Sequence, residues 1–152
     1  MAETKYGKYF IMETPPNPRH PQTRKKGNNM PWENTLYINE ELNGTLKNAY
    51  YLETNMVVRT TDSDAGPVGK PHAHPHDEYL IFLGTDPEDQ FDLGGEVEFW
   101  LGGEKHTFDK SCAIFIPGDV EHNPLYIHRV DLPFMFISTS NTLGYTHTAD
   151  SR

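Results

Sequence analysis

Nine short apolar runs, set apart by Gly, Pro, Asn and Asp, constrain this chain more than any other feature. They occupy residues 35–38, 49–53, 55–60, 79–83, 96–101, 105–108, 112–116, 125–130 and 133–138. Runs this short, bounded by turn formers, read as strands, and isolated strands must pair into sheets to satisfy their backbone groups. No window sustains a helical period over three turns. The best helical candidate, NEELNGTL at residues 39–46, is interrupted by Gly44. Eight or nine strands in one small domain predict an all-β sandwich, jelly roll or barrel.

A length of 152 residues supports one well-filled core and is short for two ordinary domains. The reading divides it into an arm and first strand at 1–35, a main domain at 36–140 and a tail at 141–152. The arm holds one apolar patch, Tyr6 to Met12, followed by a Pro-rich basic stretch that reads as an extended segment covering a sheet edge or reaching a partner subunit. The tail is a loose end or an ordered strap. The acidic stretch TDPEDQFDLGG, 85–95, is longer than a hairpin needs and reads as a solvated loop or a lid.

Thirteen basic and 22 acidic side chains leave a net charge of -9, which repels phosphate backbones and anionic lipid. Nucleic acid and membrane surfaces are thereby poor partners, and a small-molecule substrate is the expectation. The basic run Arg24-Lys25-Lys26 reads as a solvated loop. The lone cysteine, Cys112, forms no internal disulfide and, within CAIFIP, reads as a small buried hydrophobe. The opening MAETK carries no apolar segment of signal-peptide or membrane-spanning length, so a cytoplasmic protein is expected.

The chemistry concentrates in GKPHAHPHDEYLIFLG, 69–84, where His72, His74, His76 and Glu78 share one parity. On a strand, alternate residues face one side about 6.6 Å apart, so imidazoles at i and i+2 converge on one ion, whose ligands sit at about 2.0–2.2 Å. Pro75 interrupts the ladder and allows the parity to slip. A further histidine, His122, follows the turn in IPGDVEHNP and is placed to join from a neighbouring strand.

These two stretches resemble the motifs of the cupin family. Gly66, His72, His74, Glu78 and Gly84 fit the first motif, with the last gap one residue short. In the second, Pro117 and His122 keep their spacing, while Ser111 replaces the first Gly, Asp119 the second and Tyr126 the final Asn. The resemblance implies a double-stranded β-helix. It implies His72, His74, Glu78 and His122 as ligands of one divalent transition metal per chain, Zn, Fe, Mn or Ni, with open positions for substrate or water. It also implies a homodimer. The functions it offers are a metal-dependent enzyme on a small oxygenated substrate, isomerase, lyase or cyclase in type; an iron dioxygenase; or a non-catalytic binding module.

His76 is additional to the motif and reads as a substitute ligand, a support for one, or an exposed loop histidine. Arg59 is a candidate carboxylate clamp, with a surface ion pair as the alternative. Tyr126 is a weak catalytic candidate, and His128, at matching parity, either lines the mouth or packs. Trp100, Phe99, Phe134 and Phe136 supply core or pocket.

Overall fold

In the computed structural model, residues 4–40, 46–61 and 66–143 are described. The alternation of buried and exposed side chains gives eight strands: β1 Trp32–Ile38, β2 Leu52–Val57, β3 Glu78–Leu83, β4 Asp92–Leu101, β5 Glu104–Lys110, β6 Cys112–Ile116, β7 His122–Val130 and β8 Phe134–Ser140. The expected runs 49–53 and 55–60 are one strand, because Thr54 is an ordinary ladder residue rather than a break. β4 and β7 begin earlier than the expected runs at 96–101 and 125–130: DLGG, which reads as part of a solvated loop or lid, and HNP belong to their strands, with positive φ at Gly94 and Asn123. The expected short helix at 39–46 falls largely outside the described residues. Helical backbone among the described residues is limited to 3₁₀ turns at Gly7–Tyr9 and Pro21–Arg24.

All named strand pairs are antiparallel. One sheet has the order β1-β2-β8-β3-β6 and the other β5-β4-β7. This is the all-β jelly-roll architecture expected of the sequence. The inner faces meet in a core of Trp32, Val57, Leu80, Phe82, Leu93, Val97, Phe99, Ile116, Leu125, Ile127, Phe134 and Phe136. Phe82 stacks on Phe136 at 4.8 Å and meets Phe108 edge-on at 5.2 Å, a burial worth about 1.5–3 kcal/mol for such a side chain.

The inner face is not uniformly apolar. Going along β2, β8 and β3 away from Val57, Phe134 and Phe82, the buried positions become Glu53, Ser138 and Glu78. Burying three polar residues side by side is costly unless each finds partners, so this end of the sheet needs an explanation beyond packing.

The arm lies along the outer edge of β1. The Tyr37 amide donates to Thr14 Oγ1 at 3.0 Å, and Arg24 donates to the Thr35 carbonyl at 2.8 Å and to both oxygens of Thr14. It thus covers a sheet edge with side-chain bonds rather than by adding a strand. Arg24, expected to be solvated, is a structural clamp here; Lys25 and Lys26 are exposed. Tyr6, Tyr9, Phe10 and Met12 remain exposed. At the other end of the chain the Tyr51 amide donates to the Thr142 carbonyl and Glu40 to that of Leu143, so the start of the tail is a strap.

The acidic loop is held by its own carboxylates. Asp86, Asp89 and Asp92 accept from the amides of Glu88, Phe91 and Gly94 respectively, at 2.8–3.1 Å. It follows Leu83, at the end of β3 remote from Glu78, and none of its residues lines the cavity described below. The lid alternative is therefore not what the fold places there. Gly84, on which the loop turns, has no room for a side chain: a Cβ would stand 2.0 Å from the Asp92 carbonyl oxygen. Among the described residues no helix is long and apolar enough to cross a membrane.

Candidate metal centre

The histidine stretch is not a strand. Residues 69–77 form an irregular loop, and β3 starts only at Glu78. Pro75, which can donate nothing to a ladder, sits in the middle of that loop. What holds the loop is β7. The amides of His72 and His122 each donate to the other's carbonyl, at 3.0 and 2.9 Å, and Val68 pairs likewise with Leu125. This isolated antiparallel bridge sets the two imidazoles 4.4 Å apart between ring centroids.

His74 is fixed from the second motif. The Asp119 amide donates to the His74 carbonyl at 2.8 Å, and Gly118 donates to Asp77 Oδ1 at 2.8 Å. A Cβ at Gly118 would stand 2.6 Å from the Pro75 carbonyl oxygen, so the turn at 117–119 packs against the loop only with glycine there. Asp119 itself takes φ 66°, the left-handed conformation for which glycine, then Asn and Asp, are suited. The substitution at this motif position thus keeps the backbone the motif requires.

One ring nitrogen from each of His72, His74 and His122 lies within 4.8 Å of the others. Glu78 Oε2 is 2.6 Å from His74 Nε2 and 3.6 Å from His122 Nε2, while its Oε1 accepts from Ser138 Oγ at 2.6 Å. The Nδ1–H of each histidine donates to a backbone carbonyl: His72 to Lys70 at 2.8 Å, His74 to His76 at 2.9 Å and His122 to Val120 at 3.0 Å. Such a bond fixes the ring plane and leaves Nε2 as the donor atom toward an ion. Metal–nitrogen bonds of about 2.0–2.1 Å separate neighbouring ligand atoms by roughly 3–4 Å, so small side-chain shifts suit this set to a single ion. Three imidazoles and a carboxylate fit Zn, Fe, Mn or Ni alike.

The protonation states divide the cluster. Burial pulls the His122 imidazole down to about 4, with the neighbouring His72 acting in the same direction, and burial also lowers His72. Both rings are therefore neutral at neutral pH. Burial opposes the charge on His74 as well, but its hydrogen bond to the Glu78 carboxylate and the attraction between them raise it above the ordinary value. Burial would raise Glu78, yet the bonds from His74 and Ser138 hold it below the usual carboxylate range. His74, when protonated, thus forms a buried ion pair with Glu78 beside two neutral imidazoles.

His76 stands outside the cluster of three. Its ring is buried and stacks face to face on His74, 4.0 Å between centroids at an angle of 3°, and its carbonyl takes the His74 Nδ1 proton. It is neither an exposed loop residue nor one of the converging nitrogens; it positions His74. Two other candidates are displaced. Arg59 donates to the Asn28 and Met30 carbonyls and fastens the arm, so its cation does not face the cavity. Tyr126 lies on the outer face of β7, stacked on His128 at 5.8 Å, because its parity is opposite to that of the buried Leu125 and Ile127. His128 pairs with Glu98 at 2.8 Å on that same outer face. Cys112 packs beside the core, and burial pushes its thiol up.

A cavity of about 790 Å³ opens beside the cluster, with His72, Glu78 and His122 in its wall. The cavity is also lined by residues that no motif marked: Arg19 and His20 from the arm, Trp32 from β1, and Tyr51, Glu53 and Ser138. Glu53 is buried and accepts from Asn17 Nδ2, Arg19 Nη2 and the Tyr51 hydroxyl, each at 2.7 Å. Burial, then the Glu53 charge, raises the Tyr51 phenol well above its ordinary value. The sequence did hold one signal: in YLETN the polar residues Tyr51, Glu53 and Asn55 occupy the inward parity of a strand. Nothing local marked Arg19.

No family model and no curated protein matches the sequence. Solved structures do match. Oxalate oxidase in complex with the substrate analogue glycolate aligns over 84% of this chain with a TM-score of 0.51 at 14% identity, and this chain spans 60% of that protein's length. KdgF from Halomonas sp. aligns over 58% of this chain and 67% of its own, at 22% identity and a TM-score of 0.37. An RmlC-like cupin from Shewanella frigidimarina aligns over 60% of this chain and 67% of its own, at 16% identity and a TM-score of 0.36. At these identities the likeness is one of fold.

Proposed function

Taking the chain as a cupin by fold, we propose that it is a metal-dependent enzyme acting on a small oxygenated organic substrate. His72, His74, His122 and Glu78 hold one divalent transition ion, and the substrate occupies the adjoining cavity. The observation that carries this reading is the orientation of the three imidazoles. Each is tied by Nδ1 to a main-chain carbonyl, and one ring nitrogen of each lies within 4.8 Å of the others beside a cavity that His72 and His122 line. A merely structural histidine cluster has no need of three such ties beside an open volume.

A bound ion would polarise a carbonyl or hydroxyl oxygen of the substrate. Ser138 keeps the Glu78 carboxylate oriented, and His76 keeps the His74 ring in its plane. Trp32, Leu80, Leu125 and Phe136 exclude water from the substrate's body. Tyr51 and Glu53, which also line the cavity, share a proton-bearing hydrogen bond. That pair favours isomerase, lyase or cyclase chemistry, which moves protons on the substrate, over a dioxygenase.

Elemental analysis of protein purified without added metal, followed by titration, tests the reading. About one transition ion per chain is expected, with His122→Ala lowering affinity by at least about a hundredfold, more than loss of a supporting residue does. Absence of both native metal and binding on titration would sink it. Oxygen uptake with Fe²⁺ and a catechol or thiol would place the protein among the dioxygenases instead. A ligand that raises stability but is recovered unchanged after long incubation with the metal-loaded protein would make it a binding module.

A further inference from the structure

The arm-side wall of the cavity has an unbalanced hydrogen-bonding capacity. Its carboxylate is already well supplied: Glu53 takes three donors, Asn17, Arg19 and Tyr51. The hydroxyls of Tyr51 and Ser138 donate to Glu53 and Glu78 respectively. What the wall offers a ligand is donors. The Arg19 guanidinium, its side chain 26% exposed, is fixed to Glu53 and to the Tyr51 oxygen at 2.8 Å through Nη2. Lys70 stands exposed at the rim.

Charge points the same way. In a chain of net charge -9, the cavity sets Arg19 and Lys70 against Glu53 and Glu78, so leaving its histidines aside it is neutral before any ion binds and positive afterwards. Val68, Leu80, Leu125 and Phe136 also line the cavity. A volume of about 790 Å³ is within the range of sites that enclose small organic molecules.

We propose that the arm-side wall is an anion subsite, in which Arg19 and Lys70 receive the carboxylate of an organic acid. The apolar body of that acid lies over Leu80, Leu125 and Phe136, and its reacting oxygen function points to the histidines. The substrate is thus an amphipathic carboxylic acid rather than a neutral sugar or alcohol. The position of the reacting end rests on the metal-centre reading; the carboxylate subsite does not.

Calorimetric titration of the metal-free protein with 3-phenylpropanoate and with its neutral amide, at one ionic strength, tests this. The acid is expected to bind at least about tenfold more tightly than the amide, the worth of one charge-assisted hydrogen bond. Arg19→Gln should abolish the preference, and Lys70→Gln should reduce it severalfold. Equal binding of acid and amide, no binding of either, or a preference retained in Arg19→Gln would overturn the proposal. Should Arg19→Gln unfold, an unchanged preference in Lys70→Gln overturns it equally. Metal titration of the same samples separates the two readings. An acid preference without metal uptake leaves the subsite standing and ends the metal reading, and uptake without preference does the reverse.

Discussion

The cavity has two walls built by different means. The histidine wall is made of backbone: a loop pinned to β7 by paired amide bonds, with each imidazole tied to a main-chain carbonyl. The arm wall is made of side chains: Asn17, Arg19 and Tyr51 converge on one carboxylate, Glu53. A backbone frame fixes positions whatever the neighbouring side chains are. A side-chain network depends on every member, because a carboxylate buried in low dielectric is tolerable only while its donors stay in place. The first wall should therefore tolerate change in the second, and the second should be the weaker point of the fold.

The largest effect is expected where that dependence is greatest. Glu53→Ala removes the group that three donors share and leaves the Arg19 charge without its carboxylate. A fully buried pair broken in this way costs about 3–5 kcal/mol, and with Arg19 partly exposed the loss should be about 2–3 kcal/mol, read by urea denaturation. The histidine wall should keep its metal affinity within about threefold, since no ligand's hydrogen bond involves Glu53. A loss of metal binding equal to that of a ligand variant would show that the walls are one unit.

The difference between the walls also decided what could be read from the chain. His72, His74, Glu78 and His122 were legible because their chemistry needs particular residue types at particular spacings, and the turn that carries them survives replacement of its glycine by Asp119. The strand route to that site was not what the spacing suggested. The same-parity rule applied to His72 and His74 describes a ladder, whereas Pro75 and the bridge to His122 make a loop. His76 was ambiguous because stacking on His74 is a tertiary fact with no spacing of its own. Arg19 was invisible for a like reason: it reaches Glu53 across 34 residues of chain. Tyr126 failed through phase, which strand boundaries displaced by a few residues leave undetermined, and Arg59 because β2 ends two residues before it and its side chain turns to the arm.

A smaller effect should come from Ser138, which belongs to the sheet between the two walls and touches the histidine wall through Glu78. Ser138→Ala removes the donor to Glu78 Oε1. Supporting hydrogen bonds of this kind carry about 10–100-fold in metal affinity, and a loss in that range is expected. The arm wall should be unaffected, so the urea midpoint should move by about 1 kcal/mol or less. Competition with a chelator measures the first and denaturation the second. A change in stability without a change in affinity would assign Ser138 to packing alone.

The protonation pattern within the histidine wall gives a finer test. Binding an ion requires every ring nitrogen that faces it to be free of its proton. His72 and His122, lowered by burial, are already neutral, while His74, raised by Glu78, must lose one. At pH 5.5, three ordinary histidines would together release about 2.7 protons on binding, given an unperturbed value of about 6.5. Here the release should stay below about two, since His122, lowered to about 4, carries almost no proton at that pH and His72 carries less than an ordinary imidazole, and it should fall toward zero as the pH rises through the His74 value. Calorimetry in buffers of different ionisation enthalpy counts the protons directly. A count near three would mean that the imidazoles are solvated and that the buried ion pair does not exist in solution.

The smallest effect is expected at Asp119, where the histidine wall departs from the motif it otherwise follows. The residue holds φ 66° while its amide donates to the His74 carbonyl. A non-glycine residue in this conformation is strained by about 1–2 kcal/mol, less for Asp, whose short side chain hydrogen-bonds locally. Glycine relieves that strain but loses more chain entropy on folding, by roughly 0.5–1 kcal/mol. The two nearly cancel, so Asp119→Gly should change stability by no more than about 0.5 kcal/mol and leave metal affinity and proton release where they were. Its value lies in the contrast with Asp119→Val. A β-branched residue is a poor fit to this conformation, and it should loosen the amide bond to His74 and weaken metal binding without disturbing the Arg19–Glu53 wall. If Asp119→Val instead destabilised the arm and spared the metal, the backbone frame would not be what positions His74.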